Sequence, residues 1–504
     1  MSLAIAYTRA QVGIDAPAVT VEVHLSGGLP SFSIVGLPEA AVKESRERVR
    51  SALINSGFEF PQRRITVNLA PADLPKEGGR YDLAIAVGIL AATNQLPAKS
   101  LADVELIGEL ALSGELRPVT GVLPVALACR SEQRHLLLPE MNQNEALMAS
   151  GLSVLPAGHL LQICAHLQGS ELIPVAQAQI QPFALGASGP DLSDVKGQAQ
   201  AKRALEVAAA GGHNILLVGP PGSGKSMLAN RLPGLLPQMT EQEALEVAAV
   251  YSITQGSSEA CLPRKRPFRA PHHTASSVAL VGGGGNPKPG EISLAHQGIL
   301  FLDELPEFSR KVLEVLREPL ESGEILISRS ARQSTFPAQF QLVTAMNPCP
   351  CGYYADGTDR CRCSPDQIRR YQGKVSGPLL DRIDLQLSVQ ALSQQEMIEI
   401  PQTQESSESV RERVVRCRQV QLSRQGGPNQ ALTGPQLESL CQIEQKDKEM
   451  LAKALEKLQL SARAYHRILR VARTIADLAG SEVVQRAHLM EALSYRVAAR
   501  SSLN

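Results

Sequence analysis

Tryptophan is missing from this 504-residue chain, and all aromatic residues together supply only 3% of it. A surface that holds single strands by stacking bases on rings needs more than that, so a barrel-type single-strand platform is excluded. Charge of one sign is lacking too. Lysine plus arginine and aspartate plus glutamate each number 50, which leaves a formal net charge of zero and no global field to gather polyanions. Any contact with nucleic acid must therefore be local. No apolar run approaches the roughly 20 residues that span a bilayer, and the start Met1-Ser2-Leu3-Ala4 has no basic stretch of the kind that opens an export signal. The expected location is the cytoplasm. Nine cysteines in a chain of this length do not make a disulfide framework. With 43% hydrophobic residues and room for several domains, the composition is that of a soluble globular protein.

What is present centres on Gly219-Pro220-Pro221-Gly222-Ser223-Gly224-Lys225-Ser226. It follows the apolar run Ile215-Leu216-Leu217-Val218 and precedes a helical stretch near Met227, the context a phosphate-binding loop requires. Glycines let backbone N–H groups turn toward a phosphate, and the following helix points its positive end at the same charge. Lys225 would reach the terminal phosphates and Ser226 would hold Mg²⁺. A chance glycine-rich turn is the alternative, and a second motif speaks against it. Gly298-Ile299-Leu300-Phe301-Leu302-Asp303-Glu304 reads as a buried strand ending in two carboxylates. Asp303 would assist the Mg²⁺ shell, and Glu304 would orient or deprotonate the attacking water.

The front of the chain, 1–168, alternates β-rich runs with helical stretches and predicts an α+β domain of its own. Residues 169–190 lack periodicity and read as a linker. An ATPase core is expected over 191–395, opening with a helix that runs to about Ala210, and a helical lid over 396–504. Between Lys225 and Asp303 lie 77 residues, which implies an insert. That insert carries Pro263-Arg264-Lys265-Arg266-Pro267-Phe268-Arg269-Ala270-Pro271-His272-His273-Thr274 and a glycine tip at 282–285. Arg269, His272 and His273 are candidate contacts for a polyanion; a solvated loop is the competing reading, and a metal site at the two histidines is disfavoured because no Cys or carboxylate pairs with them locally. A helix over 310–321 and a β-hairpin over 324–336 follow, with Arg329 and Arg332 near the hairpin tip as further DNA-contact candidates.

Cys349-Pro350-Cys351 and Cys361-Arg362-Cys363 form two tight pairs, the arrangement a tetrahedral thiolate Zn²⁺ site needs; a reduced loop with incidental cysteines is the alternative. Arg382 sits just before a predicted strand, where a local ion pair with Asp381 or Asp384 is one reading. Arg411, Arg413, Arg416, Arg418 and Arg424 predict a basic helix face. Ser461 is a plausible cap for a helix through Leu478.

Three resemblances extend this reading. Gly78-Gly79-Arg80-Tyr81-Asp82 and the region around Gly108–Gly114 resemble the Lon-protease, ribosomal-S5-like fold, with Arg80 and Leu123 where that family has its nucleophilic Ser and its Lys, so proteolysis is not expected. The segment before the phosphate loop looks like the adenine-side lead-in of AAA+ ATPases, with Val195 and Gly197 lining the base. Asn347 matches the sensor-1 position, Arg382 the arginine that crosses to a neighbour's ATP, and Arg463 the lid sensor. Together with Phe268–Thr274, Pro289–His296 and Thr344–Gly352, these features resemble the ComM/YifB family of magnesium-chelatase-like AAA+ ATPases over essentially the whole chain. The resemblance implies an α/β architecture: a Lon-like front domain without protease chemistry, a P-loop core with an insert and a hairpin before sensor 1, and a helical lid. It also implies ATP and Mg²⁺ as cofactors, a homo-hexamer, DNA bound without sequence preference, and branch migration during natural transformation. A chelatase-type motor acting on a tetrapyrrole, or a regulatory assembly factor, are the alternatives.

Overall fold

The structure is a computed structural model that describes residues 2–177, 189–255, 265–285, 287–329, 332–355, 359–391, 404–458 and 461–503. Its first layer is a seven-stranded mixed sheet in the spatial order Ser31–Val35, Arg64–Ala70, Ala18–Ser26, Ser2–Arg9, Val104–Leu106, His135–Pro139, Val154–Ala157. Period-two patterning decides which face is inside. Along Ala18–Ser26, Val19, Val21, Val23 and Leu25 are buried, while Glu22 and His24 face the other way. The inner face is covered by helices Ala40–Asn55 and Asp82–Ala92, and every residue of the second is buried, as its nearly unbroken apolar sequence demands.

Arg80 occupies the heart of this layer. Its Nη2 donates to Gln11 Oε1 and to the Thr120 carbonyl, both at 2.6 Å, and Leu123 is fully buried.

The second sheet has five parallel strands, ordered Phe268–Arg269, Ile299–Leu302, Gln341–Met346, Ile215–Val218, Leu385–Ser388. All four residues of Ile215–Val218 and of Ile299–Leu302 are buried, the run expected of strands covered on both faces. Parallel strands bring their carboxyl ends to one edge, and the register Val218 to Met346 and Leu302 to Thr344 sets three loops side by side there. Helix Ala199–Gly211 and the C-terminal helices Ser407–Gln425, Gln445–Lys457, Ala462–Leu478 and Arg486–Leu503 pack around this core. Ser461 caps Ala462–Leu478, its Oγ accepting from the Ala464 N–H at 3.3 Å.

Several expectations are corrected. The opening helix is preceded by a separate turn, Leu192–Asp194, because Gly197 and Gln198 adopt left-handed backbone before Ala199. The helix expected over 310–321 is two pieces, Arg310–Val315 and Pro319–Ser322, since Pro319 cannot donate to the preceding turn and starts a new one. The arginines of Ser407–Gln425 do not make a free basic face. Arg413 pairs with Glu206 and Glu405, Arg424 with Asp477, and Arg418 donates to the Ala209 carbonyl at 2.8 Å.

Front layer and core are joined by helix Glu241–Gln255 of the insert. Its Leu245, Ala248 and Ala249 lie in one cluster with Ile107, Val122, Leu123, Val125 and Ala126. Among the described residues no helix is long and apolar enough to cross a membrane.

Candidate active site

The phosphate loop leaves the sheet at Gly219, whose N–H donates to the Met346 carbonyl at 3.2 Å. A Cβ at Gly219 would come within 2.1 Å of the Val389 carbonyl oxygen, so only glycine fits between these strands. Gly222 and Gly224 adopt positive φ of 77° and 84°, which turns the loop over the start of helix Lys225–Ala229. Pro220, Pro221 and Ser223 complete the turn. Gln198, which carries no sequence signature, clasps it from below: its Nε2 donates to the Ser223 carbonyl at 2.7 Å. Of the two residues expected at the base, Val195 is buried against the core and Gly197 has φ of 59°.

Lys225 Nζ donates to the carbonyls of Gly219 and Pro220, both at 2.8 Å, and to Asn347 Oδ1 at 3.1 Å. Burial pushes its ammonium below the usual lysine range, partly offset by Asp303. The phosphate loop and the end of the third parallel strand thus share one cation. Ser226 Oγ donates to Asp303 Oδ2 at 2.5 Å, and Asp303 Oδ1 accepts from the Glu304 N–H at 2.9 Å. Hydroxyl and carboxylate are the hard oxygen donors Mg²⁺ takes, and here they are immediate neighbours. Glu304 has left-handed backbone, φ 52°, and an exposed side chain whose Oε2 lies 3.0 Å from His273 Nδ1. Among the described residues no carboxylate pairs with the histidines locally, but one reaches His273 from 31 residues downstream, at the end of a neighbouring strand.

The remaining candidates disperse. His272 Nδ1 bonds Thr274 Oγ1 at 2.9 Å. Arg269 makes a two-pronged pair with Glu291, at 2.6 and 2.8 Å, and Arg266 is held by Glu243 and the carbonyls of Pro237 and Gln297. The basic run of the insert is thus largely turned inward, while Arg264 lies outside the described residues. Arg329 and Arg332 are backbone register partners at the last described pair of the hairpin, and its tip lies outside the described residues. Arg382 is buried with its Nη2 on Glu321 and its Nη1 donating to the Pro378 carbonyl at 2.7 Å. Neither Asp381 nor Asp384 takes it. Asp384 belongs to Arg467, at 2.7 Å. Arg463 is exposed at the start of helix Ala462–Leu478. The four clustered cysteines do converge, their sulfurs all within 4.8 Å of one another.

A parallel sheet with a phosphate loop, a carboxylate pair and a polar strand end at one edge, followed by a helical lid, defines an AAA+ ATPase. Family models described as magnesium chelatase, subunit ChlI, match residues 191–397 and 21–142, and one for the ChlI C-terminal part matches 404–496. The competence protein ComM of Haemophilus influenzae is 54% identical over 503 residues, which covers 99% of this chain and 98% of that protein. The uncharacterized protein YifB of Escherichia coli is 50% identical over 496 residues, 98% of this chain and 97% of that protein. Lon protease 2 of Bacillus subtilis is 29% identical over 110 residues, 22% of this chain and 19% of that protein. The chain belongs to the ComM/YifB family of magnesium-chelatase-like AAA+ ATPases. That membership implies ATP and Mg²⁺ as cofactors.

Proposed function

We propose that this chain is an ATP-driven hexameric ring motor that moves along DNA and promotes branch migration when incoming DNA recombines during natural transformation. The observation that carries the reading is the hydrogen-bonded cluster of Lys225 with Asn347 and of Ser226 with Asp303, in a chain collinear with a protein named for competence. In this reading Lys225 and the N–H groups of 219–226 hold the phosphates, Ser226 and Asp303 hold Mg²⁺, and Val195 and Gly197 border the base. Glu304 and Asn347 place the attacking water, which ATP hydrolysis requires. Arg382 of one subunit and Arg463 of the lid neutralise charge as the γ-phosphate departs.

DNA is gripped by the hairpin through Arg329 and Arg332, with contacts to the backbone that carry no sequence code and weaken with salt. Arg269 contributes less to such a grip, because Glu291 already neutralises it. The division into a front platform at 1–168, a motor at 191–395 and a lid at 396–504 belongs to the same reading. Zn²⁺ at Cys349, Cys351, Cys361 and Cys363 completes the cofactor set as a structural ion, since four thiolates fill a tetrahedron and leave no open position.

The test is ATP-driven movement of a labelled branch in a synthetic four-way junction, comparing the parent with Lys225→Ala and Glu304→Gln. Movement by the parent alone supports the motor. No movement, with ATP hydrolysis indifferent to added DNA, would favour a chelatase-type client instead, the reading that the magnesium-chelatase family models support.

A further inference from the structure

The loop that carries the four cysteines lies against the phosphate loop. Cys349 Sγ is 3.4 Å from Cys351 Sγ and 3.8 Å from Cys361 Sγ, and Cys351 Sγ is 3.7 Å from Cys361 Sγ. Cys363 Sγ lies within 4.8 Å of all three. Four thiolates around Zn²⁺ at about 2.3 Å stand about 3.8 Å apart along each edge of the tetrahedron, close to two of these separations. Disulfide sulfurs would stand at about 2.05 Å, well short of each of these separations. Cys349 is fully buried, and the other three are half-buried.

The contact with the nucleotide loop runs through the residue after Cys351. Gly352 has φ of +88°, and a Cβ placed on it would come within 2.5 Å of Pro221 Cδ and 2.7 Å of Pro221 Cγ. No methyl group fits between the thiol loop and Pro221. At its near end the same loop continues from Asn347, whose Oδ1 accepts from Lys225 Nζ. At its far end Ser364 caps helix Pro365–Gln372, and Gln372 Nε2 reaches back to the Pro348 carbonyl at 2.9 Å. Among the described residues, 347–363 contains neither helix nor strand. Where its described residues lack ladder hydrogen bonds, ordering the loop costs entropy, which crosslinking both cysteine pairs to one ion offsets.

We infer that Cys349, Cys351, Cys361 and Cys363 bind a zinc ion, or a divalent ion of similar thiophilic character, and that this binding is linked to nucleotide binding through the Gly352–Pro221 contact and Asn347. Linkage is reciprocal. The metal stabilises the loop that backs Pro221 and positions Asn347, so it tightens nucleotide binding, and bound nucleotide must retard metal loss by the same factor. The linkage rests on nucleotide occupying the phosphate loop and not on the proposed movement along DNA.

The experiment uses the full chain. Zinc content is measured by elemental analysis, and zinc released by a mercurial thiol reagent is followed with a chromogenic chelator, with and without a non-hydrolysable ATP analogue. Affinity for a fluorescent ATP analogue is compared for zinc-loaded protein, chelator-stripped protein, Cys361→Ser/Cys363→Ser and Gly352→Ala. About one zinc per chain is expected. Its release should slow when the analogue is bound, and the analogue should bind several-fold more weakly once the metal is stripped or the cysteines are replaced. Gly352→Ala should keep its zinc and still bind the analogue several-fold more weakly. A folded parent that holds no zinc, and whose thiols all react at once, overturns the metal site. Zinc retained with analogue affinity unmoved by stripping and by Gly352→Ala overturns the linkage and leaves the ATPase reading intact. Junction movement is not read, so failure here is distinct from failure of the motor.

Discussion

His273 Nδ1 lies 3.0 Å from Glu304 Oε2, so a residue of the insert holds the carboxylate proposed to activate water. The His272 ring lies 4.1 Å from that of His273 and steadies it. A contact of this kind, half in solvent, is worth about 1 kcal/mol, or about fivefold in the population of the held state.

His273→Ala should therefore raise basal ATP hydrolysis by up to about fivefold and flatten its response to DNA. His273→Asn, which keeps a donor in reach, should restore part of the restraint. Hydrolysis rates with and without DNA decide it: an unchanged ratio in His273→Ala would remove the insert from control of Glu304.

Arg382 is committed within its own subunit to Glu321, and among the described residues its Nε has no partner. Burial lowers its pKa first, with Glu321 opposing and Arg317, Arg463 and Arg467 reinforcing the shift. Crossing to a neighbour's nucleotide thus requires the Glu321 pair to open. Arg382→Ala should keep nucleotide binding and lose on the order of 10³ in hydrolysis, whereas Glu321→Gln should speed hydrolysis in assembled rings. Doping parent rings with Arg382→Ala subunits should depress activity by more than dilution. Parent-like turnover in Arg382→Ala would end its proposed role.

The parts of the site that were legible in the sequence are contiguous: the loop at 219–226, the strand ending in Asp303-Glu304, the strand ending at Asn347 and the paired cysteines each carry their signal within a few residues. What was not legible is pairing at a distance. Nothing around Arg382 names Glu321, 61 positions upstream, and nothing around His273 names Glu304. Helix Ser407–Gln425 is instructive, because Val410, Val414, Cys417 and Gln421 form a buried stripe at helical spacing. That stripe places Arg413 and Arg418 at the edge of the packed face, where they find Glu206 and the Ala209 carbonyl. Counting arginines predicted a basic face; following the apolar period would have placed Arg413 and Arg418 at the edge of the packed face.

His213 predicts an acid-sensitive core. It is completely buried beneath the parallel sheet, its Nε2 2.7 Å from Thr474 Oγ1 and its Nδ1 3.8 Å from Asp384 Oδ2. Burial pushes its pKa down to about 4, with Arg470, Arg418 and Arg467 adding to the shift and Asp384 opposing it. The imidazole is neutral near pH 7, so the Asp384 contact is not an ion pair. Because the folded pKa lies below the unfolded value of about 6.5, the unfolded chain binds the proton first. Stability from this group is complete above pH 6.5 and drains away between about pH 6.5 and 4, a loss of about 3 kcal/mol. Asp384 is pushed up by burial and pulled further down by Arg467 and His213, so its own contribution is lost only below about pH 4. His213→Gln should flatten the fall of melting temperature across that window; an equally steep fall in the variant would place the sensitivity elsewhere.

Ser252 and Glu145 join the insert of the P-loop core to the front layer. The Ser252 hydroxyl donates to Glu145, which also accepts the Val122 and Leu123 N–H groups at 3.1 and 3.0 Å, and the Gly121 N–H donates to the Ser252 carbonyl at 3.1 Å. Both side chains are fully buried, and burial raises the Glu145 pKa against the pull of these donors. Removing 1–168 would expose Leu245, Ala248 and Ala249 to water, so the truncated chain should lose solubility before ring assembly can be judged. Ser252→Ala is the finer cut. It leaves a buried carboxylate short of one donor, a loss of about 1–3 kcal/mol at this interface. Amide exchange should then quicken in 241–255 and in 119–126 together, while nucleotide affinity stays near the parent's. Exchange that quickens in only one segment, or in neither, would mean that the two layers open independently and that Ser252 does not couple them.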